Sequence, residues 1–390
     1  MLSRIKISGF RSLEDVDIEL APLTVLYGPT ASGKSSLLYA LIVFKNFLTD
    51  PGRKVNSFMD LGFMHLGEFG DCVSRRMNAI GIKVSTKTKT YGITLQETSA
   101  RLLVETPLGK ISGEVEIPYF LNRNFQAKVE QEKEKYIVNW NGIFATAFVD
   151  KPIPVSDARS QTIGITFSIL PEYIRTKVDI VPHRRGFFKP IYTPTKVSSI
   201  PVSEDEVATL IINEPTLAPK ISIDLEKILN KDFRVYTPPG TATAFFISTD
   251  KSSKTPVNLV NDGFGVNQLV YLLAKLHRPE IGTLLIEEPE VHLHPTVIRS
   301  LVRTLCSIIR EEGKQIILTT HSEVFVTSLL AAVRRKEIAP TDAKCYLVRK
   351  EKHESVFEEQ KINSNGQIEG GLASFVEGEL EDLKEFFGKK

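Results

Sequence analysis

"LTVLYGPTASGKSSLLYALIVFKNFLTDPG", Leu23 to Gly52, is the stretch on which the fold turns. Its short, nearly all-apolar start ends in glycine, as a parallel strand buried on both faces does. "GPTASGKS", Gly28 to Ser35, then satisfies G-x-x-x-x-G-K-[ST] at every position. An apolar run of helical length follows and is closed by Asp-Pro-Gly. Strand, glycine-rich loop and helix in that order make a phosphate cradle. Gly28, Pro29, Thr30, Ala31, Ser32 and Gly33 form the loop, and backbone N–H groups there and at Lys34, Ser35 and Ser36 are expected to donate to phosphate oxygens. Lys34 should reach the β- and γ-phosphates, and the Ser35 hydroxyl should ligate Mg²⁺. ATP and Mg²⁺ are the expected cofactors.

Such a loop needs an acid at the end of a neighbouring buried strand. "TLLIEEPEVHLHP", Thr283 to Pro295, supplies two. Glu287 is expected to hold the metal, directly or through water, and Glu288 to take a proton from the attacking water. Pro289 turns the chain off the sheet. His292 and His294 would share a face if extended, as a zinc pair would, but no third ligand with sensible spacing is near. A structural or dimer-contact role is expected for them instead. "QIILTTHS" is another buried strand, ending in His321 one helix after the acids, where a γ-phosphate sensor would sit. Glu288, Lys34 and His321 form the expected catalytic set.

Outward from these motifs, "LSRIKISGF" and "LEDVDIEL" alternate as two strands joined at Arg11 and Ser12. From about Ile80 to Phe120 a polar–apolar alternation broken by turn residues predicts an antiparallel meander with one wet face. The charged "NFQAKVEQEKEKYI" reads as an exposed surface segment. "SEDEVATLIINEP" and "LAPKISIDLEKILNKDF" read as helices with acids near their starts, and "RVYTPPGTATAFFISTD" as a hairpin around Pro-Pro-Gly. "PTVIRSLVRTLCSIIREEG" is a helix stopped by Gly313. "AKCYLVRKE" and "ESVFEEQKI" are strands, and "LASFVEGELEDLKEFFGKK" a closing helix. The outline is α/β, an inserted β-rich segment, then α/β again, with the two α/β parts sharing one sheet.

Composition narrows the function classes. The 390 residues carry 42% hydrophobic and 25% charged residues and a net charge of +2, so no polybasic footprint exists and any nucleic-acid contact must be local. Cys72, Cys306 and Cys345 are scattered, which fits a reduced, cytoplasmic setting and no cysteine zinc site. No apolar stretch is long enough to span a bilayer, and the N-terminus lacks the apolar core of a signal peptide.

Together, "IKISGFRSLEDVDIEL", "YGPTASGKSS", "IEEPEVHLHP" and "TTHS" resemble the ABC class of ATPases, and within it the RecF/SMC/OLD-like branch. The "EEPE-x-HLHP" form is particularly like OLD-type proteins. The likeness covers roughly the first 70 residues and those from about 255 to 330. It implies an ABC-type P-loop NTPase head with a β-rich second lobe inserted between Walker A and the signature segment. Residues 1–72 and 280–390 would form lobe I, and 73–279 the second lobe.

The resemblance further implies a signature segment before the double-acid strand. "NLVNDGFGVNQLVYLLAKL" stands there, with Asn261, Asp262 and Gly263 where related proteins have Ser-Asp-Gly or Leu-Ser-Gly-Gly-Gln; asparagine can cap a helix and donate to phosphate. In the family two heads meet head to tail, each signature closing over the other's ATP. A nucleotide-dependent homodimer follows, with Asn261, Asp262 and Gly263 acting in trans. Arg11 matches a basic position near the nucleotide, or is a solvated surface arginine. "HLGEFGDCV", His65 to Val73, holds the Q-loop place without a glutamine, and Glu68 or Asp71 would sense Mg²⁺ or water instead. "PHRRGFFKPIY" either touches DNA or a partner, or packs the lobes.

The expected function is Mg-dependent ATP hydrolysis, with ATP-driven homodimerisation switching a DNA-related activity in repair or phage defence. The alternative is an ATP-binding clamp or scaffold regulating a separate nuclease or effector subunit. No Asp-x-Asp follows a strand after His321, so a Toprim nuclease domain is not expected in this sequence. The long β-rich insertion argues against a transporter ATPase.

Overall fold

The computed structural model describes residues 1–153 and 155–371, so the closing helix expected over 372–390 lies outside the described residues. The chain opens with β1 (Arg4–Phe10) and β2 (Leu13–Glu19), joined by a turn that holds Arg11 at φ 54°. β3 (Leu23–Tyr27) runs through the glycine-rich loop into α1 (Lys34–Thr49), and α2 (Phe69–Cys72) is a single turn. The meander follows as β4 (Ile80–Ser85), β5 (Thr90–Leu95), β6 (Ser99–Thr106) and β7 (Gly109–Glu116). β8 (Phe125–Gln131), β9 (Glu134–Trp140) and β10 (Ala145–Val149) form a separate small sheet, and α3 (Ala158–Lys177) leads into β11 (Val178–Val181). Next come α4 (Glu204–Asn213), α5 (Leu217–Leu229), β12 (Lys231–Tyr236), β13 (Phe245–Asp250), β14 (Pro256–Asn258) and α6 (Phe264–Leu276). The last described elements are β15 (Thr283–Glu287), α7 (Pro295–Glu312), β16 (Gln315–Thr320), α8 (Glu323–Arg334), β17 (Ala343–Glu351) and β18 (Glu354–Gln360).

The central sheet has the order β11-β15-β16-β3-β17-β18, parallel throughout except for the β17–β18 edge pair. Every residue of β3, β15 and β16 is buried, which is why these strands read as unbroken apolar runs. Their side chains still alternate between two cores. Leu26, Leu285 and Ile317 face α1 and the antiparallel strands, whereas Val25, Ile286 and Leu318 face α5, α6, α7 and α8. α1 is apolar on almost all sides because it lies between sheets, with thirteen of its residues buried.

The two terminal parts of the sequence do share one sheet, as expected. Strand pairing nevertheless crosses both boundaries drawn from the sequence. β1 pairs with β4, so residues 4–19 and the meander form one sheet of order β2-β1-β4-β5-β6-β7 across residue 72. β11 pairs with β15 across residue 280. The physical cause is the hydrogen-bonding edge of β1, which a hydrophobic pattern does not reveal.

Local expectations held for the meander, the Pro-Pro-Gly hairpin and α7, whose C-terminal Gly313 has φ 64°. Three differ. The charged segment around Glu130 is the β8–β9 hairpin, because Val129, Tyr136, Val138 and Trp140 alternate inward beneath its charges. α3 was not anticipated; its Pro171 and β-branched residues hide a helix capped by Asp157. The first turn of α5 carries no acid.

Candidate functional site

β3, β11, β15 and β16 all end at one edge of the central sheet, and each delivers a piece of the same region. This is where ligands sit in open parallel sheets, beyond the carboxyl ends of the strands. A cleft of about 520 Å³ is lined by the glycine-rich loop, Arg11, Ser12, Tyr39, Met64, Glu288, His321 and Lys350.

β3 supplies the loop. Gly28 has φ 142°, and a Cβ there would lie 2.3 Å from the Val348 carbonyl oxygen, so only glycine fits. Gly33, at φ 101°, begins α1. Lys34 is 4% exposed, and its Nζ donates to the carbonyls of Gly28 (2.9 Å) and Pro29 (2.8 Å) and to Ser32 Oγ (3.3 Å). Burial lowers its pKa to about 8, against the opposing pull of Glu288 and Glu290.

β15 supplies the acids. Glu287 is 2% exposed and accepts from the Tyr39 hydroxyl (2.7 Å) on one oxygen and the His183 N–H (3.1 Å) on the other. Burial, then the neighbouring Glu287, raises the Tyr39 pKa and keeps that phenol a donor. Glu288 turns away at φ 42°, its N–H donating to Thr319 O. One of its oxygens lies 3.0 Å from His321 Nε2 and the other 3.3 Å from His183 Nδ1. Glu290 adds a third acid: its Oε1 accepts from Thr320 Oγ1 (2.7 Å) and His321 N (2.9 Å), while its buried Oε2 has no partner. Burial raises the Glu290 pKa.

β11 supplies the turn that holds these acids. Arg185 is buried and donates to the carbonyls of Pro182 (3.1 Å), Glu287 (2.7 Å) and Glu288 (2.8 Å). Burial lowers its pKa to about 10, which leaves it cationic at neutral pH. The Asn267 side chain, on α6, bonds both the N–H and the C=O of Phe187 and ties the turn to that helix.

Of the residues singled out in the sequence, the cleft gathers Arg11, the loop from Thr30 to Ser36, Glu288 and His321, with Glu287 directly behind. Arg11 sits 6.0 Å over the Tyr39 ring. Glu68 and Asp71 do not line the cleft; Glu68 begins α2, and Asp71 accepts from its N–H at 2.9 Å. Asn261, Asp262 and Gly263 lie outside the cleft of their own chain. Gly263, not Asn261, occupies the cap of α6, Asp262 pairs with Lys231 at 2.9 Å, and Asn261 is exposed. His294 caps α7 through Thr296, and the His292 ring packs against Phe264 at 5.7 Å. Among the described residues no group of three or more His, Cys, Asp or Glu could hold a metal ion. The three cysteines are free and buried, and no helix among the described residues is long and apolar enough to cross a membrane.

Tyr39 and Glu290 were missed, and His183 and Arg185 were singled out only within "PHRRGFFKPIY", as a DNA or partner contact or as lobe packing, not as part of this site. Tyr39 follows Ser35 by one helical turn and was readable in principle. The signal for His183 and Arg185 was "VDIV", a four-residue buried strand ending in Pro-His-Arg-Arg.

Residues 1–141 match the family described as "AAA ATPase domain", and 153–327 the one described as "AAA domain, putative AbiEii toxin, Type IV TA system". The OLD nuclease of Thermus scotoductus is 23% identical over 332 residues, 83% of this chain and 60% of that protein. The chain therefore spans less than two thirds of that curated relative. The SMC head domain from Thermotoga maritima is 12% identical, with a TM-score of 0.42 over 92% of this chain and 98% of that one. An Smc head with an extended coiled coil, bound to the C-terminal domain of ScpA and derived from Pyrococcus furiosus, is 10% identical, with a TM-score of 0.47 over 99% of both.

Proposed function

Because this chain is an ABC-like P-loop ATPase of the OLD, RecF and SMC branch, with the ABC-type head fold, we propose that it hydrolyses ATP in a Mg²⁺-dependent reaction. The observation that carries the reading is Glu288, held by His321 at 3.0 Å in the cleft that also contains Lys34 and Ser35. The residues fit the nucleotide and its metal. Gly28 admits no side chain in the cradle, Ser35 and the buried Glu287 would hold Mg²⁺, and one or two protein ligands suffice when phosphates supply the rest. The metal would neutralise phosphate charge.

The chain's own groups do the rest. Loop N–H groups and Lys34 bind and orient the phosphates, exchanging the carbonyl partners of Nζ for phosphate oxygens. Glu288 takes the proton of the attacking water on a carboxylate oxygen, and His321 fixes that carboxylate and faces the cleft where the γ-phosphate lies. Arg11 flanks the nucleotide. Asn261, Asp262 and Gly263, lying away from their own cleft, close over the partner's nucleotide in a head-to-tail homodimer. That ATP-dependent assembly switches a DNA-related activity, in repair or phage defence, in the cytoplasm.

A second reading is a slow ATP clamp or scaffold that regulates a separate nuclease or effector. It is favoured by the two imidazoles that stand on Glu288, one at each carboxylate oxygen, where the attacking water must also bind. Phosphate release by the wild type and by Glu288→Gln, with Mg²⁺ and with chelator, tests hydrolysis. Turnover abolished by chelator and lowered by about 10²–10⁴-fold in the variant is expected. Equal rates in the two proteins would defeat the reading.

A further inference from the structure

We propose that His183, anchored by Arg185, is a positioning residue for the general base Glu288, fixing its carboxylate from the side opposite His321; this rests on the hydrolase reading above.

A glutamate on an exposed turn rotates freely about its last side-chain bond, and a base that rotates presents its lone pairs to water in the wrong place most of the time. Here each carboxylate oxygen of Glu288 has its own imidazole, His321 Nε2 on one and His183 Nδ1 on the other. Two contacts on two oxygens fix the plane of the group, which one contact does not.

His183 is itself fixed. Its N–H donates to Glu287 Oε2, so its backbone is pinned to the metal carboxylate. Two residues on, the buried Arg185 guanidinium bridges the carbonyls of Glu287 and Glu288. Arg185 thus grips the backbone on which Glu288 holds its unfavourable φ of 42°, a conformation that persists in a non-glycine residue only where neighbours enforce it. The turn from Pro182 to Phe187 therefore reaches the acid pair through a side chain, a backbone N–H and a buried cation. The His183 side chain is 56% exposed, so packing does not account for its place beside Glu288.

The test is steady-state hydrolysis of Mg-ATP by the full chain, with equilibrium binding of Mg-AMP-PNP measured alongside. His183→Ala is expected to lower kcat about 10–100-fold, the usual loss for a residue that orients a reacting one, with KM and the Mg-AMP-PNP Kd little changed. His183→Asn places an amide nitrogen where Nδ1 stands and should keep kcat within about threefold of wild type. In a Glu288→Gln background, His183→Ala should cause no further loss, because the group it orients is gone. The proposal is overturned by a wild-type kcat in His183→Ala, by Asn failing as badly as Ala, or by losses that multiply in the double variant. A wild type that binds Mg-ATP yet releases no phosphate overturns the hydrolase reading itself and takes this proposal with it. Normal wild-type turnover with an indifferent His183 removes this proposal alone.

Discussion

Lys34 sets burial directly against charge. The residue is 4% exposed, and burial brings its pKa from 10.5 to about 8. The unfolded chain keeps that proton to higher pH, so between about 8 and 10.5 unfolding takes up a proton and the folded state gains stability as pH rises. Below about 8 both states are protonated and the desolvation cost is fully felt. Wild type should therefore gain stability relative to Lys34→Met across that window, read as the difference between urea midpoints at several pH values. A difference that does not change with pH would show that the lysine is solvated. The same burial couples nucleotide to protons: above about pH 8 the bound phosphates should draw a proton onto Lys34, measurable as proton uptake on binding. At this scale the sequence was legible wherever the chemistry fixes spacing, as from Gly28 to Ser35 and at Glu287 and Glu288. His183 was not, because what places it beside Glu288 is strand order, and no spacing along the chain records that β11 lies next to β15.

Among the elements, α6 joins the expected signature segment to the acids. Asn267 satisfies the buried N–H and C=O of Phe187, and the Phe187 ring also packs on Tyr271 of the same helix at 5.7 Å. Asn267→Ala would leave both backbone groups buried without a partner, at about 1–3 kcal/mol each. Urea denaturation should show that loss, and hydrolysis should fall with nucleotide binding retained. Unchanged stability would mean water replaces the amide and the helix is not mechanically joined to the acids. Elements themselves were legible where an unbroken apolar run stood between turn signals, as in β3 and β16, or where one periodicity dominated, as in α7. The β8–β9 hairpin was obscured because its outward face is charged enough to mask Val129, Tyr136 and Val138. In α3, Pro171 and runs such as Ile-Gly-Ile-Thr masked the helical pattern.

Across the whole molecule, one buried ionic cluster joins the two cores. Asp179 on β11 is fully buried and pairs with Lys275 (2.8 Å) and Arg278 (2.5 Å) at the end of α6, while Lys45 of α1 bonds the neighbouring Val178 carbonyl. Burial opposes the charge on Asp179, but the surrounding cations win and lower its pKa. Asp179→Asn would strand those cations and should cost about 3–5 kcal/mol in a urea melt, whereas a loss of under 1 kcal/mol would mean the cluster is wet. Molecular organisation was the least legible level. The shared central sheet followed from counting strands, but pairing of β1 with β4 depends on contacts between distant segments. If Asn261, Asp262 and Gly263 complete the active cleft of a second copy, as proposed, Glu288→Gln should show by light scattering a mass near 43.6 kDa that doubles only when Mg-ATP is bound. A mass that stays the same while ATP is demonstrably bound would rule that dimer out.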